Sequence, residues 1–168
     1  MNINAYMNTE IKNMLKTAMG FYGKSRKGRA FLTSFILNAQ KKANVRNKWN
    51  KKGVQIPPFL IASVASECNL HCSGCYARAE GACLNAHEKT PDLSPTEWEA
   101  IFNEADTLGT SFIMLAGGEP FMRPDVIELA SRQKNITFPI FTNGTLLDER
   151  TILLLEENRN LVPVISLE

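Results

Sequence analysis

Short apolar runs alternate with helical segments from about residue 57 onward, and this alternation constrains the fold more than any other feature. The four runs are "FLIASVAS" from Phe59, "SFIML" from Ser111, "ITFPIF" from Ile136 and "LVPVISL" from Leu161. Strands that alternate with helices of roughly 10 to 15 residues are typical of right-handed crossovers and a parallel sheet. The sequence therefore predicts an α/β fold with the order β-α-β-α-β-α-β.

The helix between the first two strands has the clearest predicted limits. "SPTE" from Ser94 to Glu97 supplies a capping box with proline at the first helical position, and Gly109 is placed to end the helix. Pro139 and Pro163 fall inside the third and fourth runs, where each removes a donor from the strand ladder. These prolines put the limits of the strands in question rather than the topology.

The N-terminal part of the chain differs from the rest in charge. Twelve Lys and Arg residues stand against one acidic residue in positions 1–58, and seven stand against sixteen in positions 59–168. Two apolar stripes at helical spacing, separated by Gly23–Arg29, indicate helices. The stripes are Ile11, Met14, Leu15 and Ala18, and then Phe31, Leu32, Phe35 and Ile36. We therefore expect a basic helical N-terminal extension over 1–56 and a core over 57–168.

The basic arm has three open interpretations. It could contact nucleic acid or an anionic membrane surface, or it could be a solvated helical arm that packs on the acidic part of the chain, which is the favoured interpretation. The longest apolar runs are far shorter than the roughly 20 residues that a membrane-spanning helix needs. The first residues lack the pattern of a secretory signal, so we expect a cytoplasmic protein. In a reducing compartment, clustered cysteines more often bind metal or carry out redox chemistry than form disulfides.

All four cysteines lie in one segment that directly follows the first strand. Three residues separate Cys68 from Cys72, two separate Cys72 from Cys75, and seven separate Cys75 from Cys83. In a parallel α/β sheet, ligands bind at the carboxyl ends of the strands, where this segment begins. Three closely spaced thiolates suit an iron–sulfur cluster, whereas zinc sites more often present paired C-x-x-C units. The alternative is a four-cysteine structural zinc or iron–sulfur module with a nucleic-acid-binding arm.

A second motif, "GGEP" from Gly117 to Pro120, directly follows the second strand. Its glycines allow the backbone to bend and to approach a ligand closely. Glu119 can accept charge-assisted hydrogen bonds from a ligand ammonium group. Taken alone, the motif is equally compatible with an ordinary strand-to-helix turn.

The stretch Cys68-x3-Cys72-x2-Cys75 resembles the cluster motif of the radical S-adenosylmethionine (radical SAM) enzymes. In that family three cysteines hold a [4Fe-4S] cluster, and the fourth iron binds the amino and carboxylate groups of the cofactor's methionine part. "GGEP" looks like the family's methionine-binding segment, and "TNG" and "SLE" end the third and fourth strands where the family places cofactor-contacting residues. The resemblance implies cofactor-binding roles for Gly74, Tyr76, Gly117, Gly118, Glu119, Pro120, Thr142, Asn143, Ser166 and Glu168. Gly74 stands where the family usually has an aromatic or apolar residue, so Tyr76 is the residue that could supply a ring.

The resemblance implies a fold, a reaction and partners. The fold would be about half of a partial (β/α)6 TIM-like barrel, truncated after the fourth strand. The chain would be a radical SAM enzyme, or the N-terminal half of its core, that reductively cleaves S-adenosylmethionine to a 5′-deoxyadenosyl radical. This radical would abstract hydrogen from an unknown substrate, a small molecule or a peptide. An electron donor such as flavodoxin or ferredoxin is implied, and Cys83 is expected to be a buried thiol rather than a ligand.

Overall fold

Four parallel strands form one sheet in the order β1-β2-β3-β4. The structure, a computed structural model, describes residues 20, 23–79, 83 and 92–167. The strands are β1 (Phe59–Ala65), β2 (Phe112–Gly117), β3 (Phe138–Thr142) and β4 (Leu161–Ile165). Each strand is followed by helical structure before the next strand begins, so the predicted α/β class and element order are confirmed.

Five α-helices and one 3₁₀ turn are present in the described residues. They are α1 (Arg26–Asn50), α2 (Tyr76–Ala79), α3 (Pro95–Leu108), the 3₁₀ turn Pro120–Met122, α4 (Pro124–Arg132) and α5 (Glu149–Glu157). No helix in these described ranges is long and apolar enough to cross a membrane.

The start of α1 differs from the prediction. Gly23–Arg29 was expected to separate two helices, but the helix already begins at Arg26. The reason is local, because the Ser25 hydroxyl accepts a hydrogen bond from the Gly28 backbone N–H at 2.9 Å and so caps the first turn. The first predicted stripe, from Ile11 to Ala18, lies outside the described residues.

The helix α3 has the limits that its capping signals predict. The Ser94 hydroxyl accepts from the Glu97 N–H at 3.3 Å, and the Glu97 carboxylate accepts from the Ser94 N–H at 2.8 Å. Gly109 ends the helix in the left-handed conformation, with φ 97°. Trp98 and Phe102 point into the core from this helix.

The two faces of the sheet have different environments. One face carries the core, in which strand residues such as Leu115 and Ile140 pack with Phe102 of α3 and Val126 of α4. Side chains on the opposite face are more exposed, and Ile61 retains 67% of its accessible surface. Helices α3, α4 and α5 therefore cover one face of the sheet.

The two strand prolines occupy different hydrogen-bonding positions. Phe138 N–H donates to Asn160 on the β4 side, and Thr137 N–H donates to Ser111 on the β2 side. Alternation along β3 therefore places Pro139 toward β2, where it supplies no donor. By the same alternation, Pro163 faces away from β3. Pro139 therefore removes a backbone donor from the hydrogen-bond ladder between strands, whereas Pro163 does not.

The chain forms two compact units, Met1–Ala39 and Gln40–Glu168. Within the second unit, residues of α1 contact the end of α3. Lys42 is buried, and its Nζ donates to the Thr110 carbonyl at 2.7 Å and pairs with Asp106 at 2.5 Å. Cations stabilise the carboxyl end of a helix, where unpaired carbonyls carry partial negative charge.

Loss of the Lys42 contacts is expected to destabilise the fold. Lys42→Ala would leave the buried Thr110 carbonyl without its donor, which costs about 1–3 kcal/mol of unfolding free energy. Urea unfolding followed by circular dichroism measures the change. Lys41→Ala removes an exposed cation at the adjacent position and is the matched control, for which we expect no measurable change. Equal stability of the two variants would contradict this role of Lys42.

Candidate functional site

The carboxyl ends of the four strands surround a cleft of about 440 Å³. Residues from the cysteine loop and from the ends of β2, β3 and β4 contribute to its walls. The predicted site residues that line it are Cys68, Cys72, Gly74, Cys75, Tyr76, Gly117, Gly118, Glu119, Thr142, Asn143 and Ser166. The fold therefore brings together segments that are up to about a hundred positions apart in the sequence.

Two predicted site residues are not part of this lining. Pro120 is buried in the 3₁₀ turn behind Glu119. Glu168 lies outside the described residues. Phe141 and Leu70 line the cleft although no motif pointed to them. Alternation along β3 places Phe141 on the exposed face of the sheet, between the buried Ile140 and Thr142, and this is the signal that could have indicated it.

The cysteine loop is held by a few local hydrogen bonds. The Cys68 sulfur accepts from the Leu70 N–H at 3.4 Å. The Cys75 carbonyl accepts from the Ala79 N–H at 3.1 Å, which starts the short helix α2 directly after the third cysteine. Cys72 is exposed, and Cys68 and Cys75 are half-buried. Among the described residues, no three His, Cys, Asp or Glu side chains lie close enough together to hold a single metal ion, as distinct from a cluster of several irons.

Cys83 has a different environment from the other three cysteines. It is 4% exposed, and its backbone N–H donates to the Ala77 carbonyl at 2.8 Å. Burial raises the pKa of the Cys83 thiol, and the charge of Arg78 opposes this rise. Since the thiolate is the form that binds metal, a buried neutral thiol is consistent with the expectation that Cys83 is a bystander.

The two glycines of "GGEP" are needed because the end of β1 passes very close to Gly117, and the start of the cysteine loop passes very close to Gly118. A Cβ atom on Gly118 would lie 1.9 Å from the Glu67 carbonyl oxygen, and one on Gly117, where φ is +126°, would lie 2.5 Å from the Ala65 carbonyl oxygen. The Gly118 N–H donates to the Ala65 backbone carbonyl at 2.7 Å, and the Glu119 N–H donates to the Glu67 backbone carbonyl at 2.7 Å. The glycines thus join the end of β2 to the start of the cysteine loop.

Glu119 is a buried carboxylate at the wall of the cleft, with 1% of its surface exposed. One carboxylate oxygen accepts from the Phe121 N–H at 3.1 Å and from the Thr142 hydroxyl at 2.7 Å, and the other accepts from the Asn143 N–H at 2.9 Å. A carboxylate offers about four acceptor positions, so one position remains. No ion pair to Glu119 is found in the described residues.

Thr142 lies at the wall of the cleft, and its hydroxyl is engaged by protein groups. It is 2% exposed, its hydroxyl donates to Glu119, and the same hydroxyl accepts from the Gly144 N–H at 3.0 Å. Ser166, at the end of β4, is exposed, and its N–H donates to the Thr142 carbonyl at 2.9 Å. The ends of β2, β3 and β4 are therefore joined by direct hydrogen bonds.

Arg123 fixes the end of β1, just before the cysteine loop. Its guanidinium donates to the Val64 carbonyl at 3.2 Å and to the Asp125 carboxylate at 2.8 Å. Asp92 lies 3.7 Å from the same guanidinium and accepts from the Ser66 N–H at 3.2 Å. Hydrogen bonding to Arg123 lowers the pKa of Asp125, so this ion pair stays formed at neutral pH.

The donor set around the cleft fits an iron–sulfur cluster and an amine-bearing ligand. Three thiols are soft donors of the kind that iron–sulfur clusters select. The buried Glu119 carboxylate has an open acceptor position and no cation beside it among the described residues, and burial of a charge is costly unless it is paired. A ligand ammonium group in the cleft would supply the missing partner.

The family model of the Radical SAM superfamily matches residues 63–168. Two similar proteins are the Fe-coproporphyrin III synthase of Methanosarcina barkeri and the PqqA peptide cyclase of Gluconobacter oxydans. The first is 36% identical over 102 residues, 60% of this chain and 24% of the relative. The second is 35% identical over 95 residues, 55% of this chain and 25% of the relative. The chain thus spans about a quarter of the length of these relatives.

Solved structures of Streptococcus suis SuiB have a similar fold. SuiB bound to its precursor peptide SuiA matches with a TM-score of 0.58 and 25% identity, over 77% of this chain and 28% of SuiB. SuiB bound to S-adenosylmethionine matches with a TM-score of 0.56 and 26% identity, over the same shares. The parallel sheet with helices is consistent with the predicted partial barrel. The comparisons give no support to the four-cysteine zinc module.

Proposed function

The chain belongs to the radical SAM superfamily, and from this premise we propose that it is the cofactor-binding part of a radical SAM enzyme. In this proposal Cys68, Cys72 and Cys75 hold a [4Fe-4S] cluster, and the cleft beside them takes S-adenosylmethionine. When bound, the reduced cluster supplies the electron that cleaves S-adenosylmethionine to a 5′-deoxyadenosyl radical. The observation that carries the proposal is that three thiols and a buried, uncompensated carboxylate line the same cleft.

Glu119 is proposed to orient the cofactor. Its remaining acceptor position takes the methionine ammonium, because a charge-assisted hydrogen bond fixes both position and direction. Thr142 and the Asn143 N–H hold the carboxylate in place, so little reorganisation is needed when the ligand binds. Pro120 is proposed to act indirectly, by holding the turn that buries Glu119.

The remaining cleft residues are proposed to surround the rest of the cofactor. Tyr76 is 66% exposed at the cleft and is proposed to be the ring that stacks on the adenine. Gly74 borders open space, because a Cβ atom on Gly74 would meet no atom within 4 Å. Gly117 and Gly118 present backbone to the ligand, and Ser166 contributes from the end of β4, where Glu168 follows. Surrounding the cofactor also excludes water from the reaction.

The substrate is proposed to be bound by parts of the protein that differ between relatives. The names of the two relatives refer to an iron coproporphyrin and to the PqqA peptide, and SuiB was solved with a precursor peptide. The region that these three proteins share with this chain is proposed to serve the cofactor chemistry common to all of them. A flavodoxin or ferredoxin is proposed as the electron donor, in the reducing environment of the cytoplasm. The region 57–168 would be the core and 1–56 a helical extension.

Formation of 5′-deoxyadenosine tests the proposal. The full natural protein is reconstituted anaerobically with iron and sulfide, reduced with dithionite and supplied with S-adenosylmethionine. We expect absorbance of an iron–sulfur cluster and 5′-deoxyadenosine that depends on both the reductant and the cluster. A protein that contains the cluster but forms no 5′-deoxyadenosine, or that binds zinc in place of iron, would contradict the proposal.

A further inference from the structure

A closed ring of side-chain hydrogen bonds joins the residue after Cys68 to the turn after β3. Asn143 Nδ2 donates to Asn69 Oδ1 at 3.0 Å, Asn69 Nδ2 donates to Thr145 Oγ1 at 2.8 Å, and Thr145 Oγ1 donates to Asn143 Oδ1 at 2.6 Å. Each member donates and accepts, and hydrogen bonds connected in this way strengthen one another. The ring therefore fixes the cysteine loop to the third strand.

The Thr145 backbone N–H, together with the ring, determines which way the Asn143 amide points. The Thr145 backbone N–H, which can only donate, lies 2.9 Å from the side-chain oxygen of Asn143. An amide NH2 group cannot accept this bond, so the contacted atom is the oxygen. The amide nitrogen is consequently on the opposite side, where it donates to Asn69 and lies 3.9 Å from the Cys68 sulfur.

The backbone of Asn143 is held independently of the ring. Its N–H donates to the buried Glu119 carboxylate at 2.9 Å, and the preceding Thr142 hydroxyl donates to the other oxygen of the same carboxylate at 2.7 Å. Asn143 is thus anchored through its main chain to the end of β2 and through its side chain to the cysteine loop.

We propose that Asn143 is a positioning residue for Cys68, whose sulfur receives the amide N–H that the ring directs toward it. The inference rests on the proposed function, in which Cys68 is a cluster ligand. Reduction adds one electron to the cluster from an external one-electron donor. An N–H directed at a ligand sulfur stabilises that added negative charge, and such hydrogen bonds are among the factors that set the reduction potential. Asn143 therefore raises the potential of the cluster and keeps the first cysteine in place.

A redox titration of the reconstituted protein, followed by electron paramagnetic resonance, measures the effect. Asn143→Asp keeps the size of the side chain and the oxygen that Thr145 contacts, but it replaces the donor with a charged oxygen. We expect the potential to fall, so that the ratio of reduced to oxidised cluster at fixed poise drops about tenfold, which is about 59 mV for a one-electron couple. Thr107→Val removes an exposed hydroxyl on α3 and is the control, with no expected shift.

A second pair of variants tests the ring without changing Asn143. Thr145→Val removes the hydroxyl that closes the ring but keeps the backbone N–H that contacts the Asn143 oxygen. We therefore expect a shift of the potential in the same direction that is smaller than in Asn143→Asp, while Thr145→Ser restores the wild-type value. An unchanged potential in both Asn143→Asp and Thr145→Val would overturn the inference. If Asn143→Asp fails to fold by circular dichroism, the response of the Asn143 side-chain amide protons to Cys68→Ser in the cluster-free chain decides.

A measurement on the cluster-free chain separates this inference from the proposed function. By NMR, the side-chain amide protons of Asn143 are expected to shift on Cys68→Ser and to remain in place on Cys83→Ser. No shift on Cys68→Ser would overturn the inference whether or not the chain binds iron. A chain that shows this shift but never holds iron would contradict only the proposed function.

Discussion

Cys72→Ala is expected to abolish iron–sulfur binding, while Cys83→Ala is expected to retain it. Cys72 is the most accessible of the three proposed ligands, and removal of a direct ligand should weaken binding by more than about 100-fold, the upper end of what changes in outer-shell residues cost. Cys83 is a small buried side chain outside the proposed ligand set, so its loss should lower the unfolding free energy by only about 1 kcal/mol. Iron and sulfide content after anaerobic reconstitution is the measurement.

The comparison between these two variants decides between three and four ligands. Both remove one thiol, so a general loss of cysteines cannot explain a difference between them. Circular dichroism of each apo-protein shows whether the fold is retained before iron is added. Loss of iron from a folded Cys83→Ala protein would restore the four-cysteine interpretation.

Glu119→Gln is expected to weaken binding of S-adenosylmethionine about 10- to 100-fold, because a hydrogen bond to a charged group contributes about 1.5–3 kcal/mol. The substitution removes the negative charge that would face the ligand ammonium. It also places an NH2 group where the carboxylate now accepts from Thr142, Phe121 and Asn143, so one of these donors loses its acceptor. Equilibrium dialysis under anaerobic conditions measures the affinity.

A control variant and a control measurement make the Glu119 experiment specific. Glu128→Gln changes an exposed carboxylate, 53% accessible on α4, and should leave the affinity unchanged. Iron content should stay close to that of the wild type in both variants, because neither residue is a proposed cluster ligand. Wild-type affinity in Glu119→Gln would show that the ammonium group is bound elsewhere.

The elements with strong local signals could be predicted from the sequence. The capping box at Ser94 and the left-handed Gly109 define α3 because both act within a few residues of the helix ends. The strands could be identified, but their limits shifted by one or two residues. Pro139 remained in a central strand because packing of the neighbouring Phe138 and Ile140, both fully buried, outweighs one missing ladder donor.

The site could be predicted as a set of segments but not as a network. The motifs identified the cysteine loop and "GGEP" as site segments. Their proximity could also be predicted, because the carboxyl ends of parallel strands meet at one edge of the sheet. The ring of Asn69, Asn143 and Thr145 joins residues 74 and 76 positions apart, and no local pattern reports such contacts. Similarly, the close approach of the Glu67 backbone, which follows β1, to Gly118 explains that glycine only once the structure is known.

The central claim is that three thiolates hold a cluster and leave one iron open to the cofactor. Electron paramagnetic resonance of the dithionite-reduced protein, before and after addition of S-adenosylmethionine, tests it most directly. We predict a signal of a reduced [4Fe-4S] cluster that changes when S-adenosylmethionine is added, in the wild type and equally in Cys83→Ala. A cluster signal that S-adenosylmethionine leaves unchanged would contradict the claim.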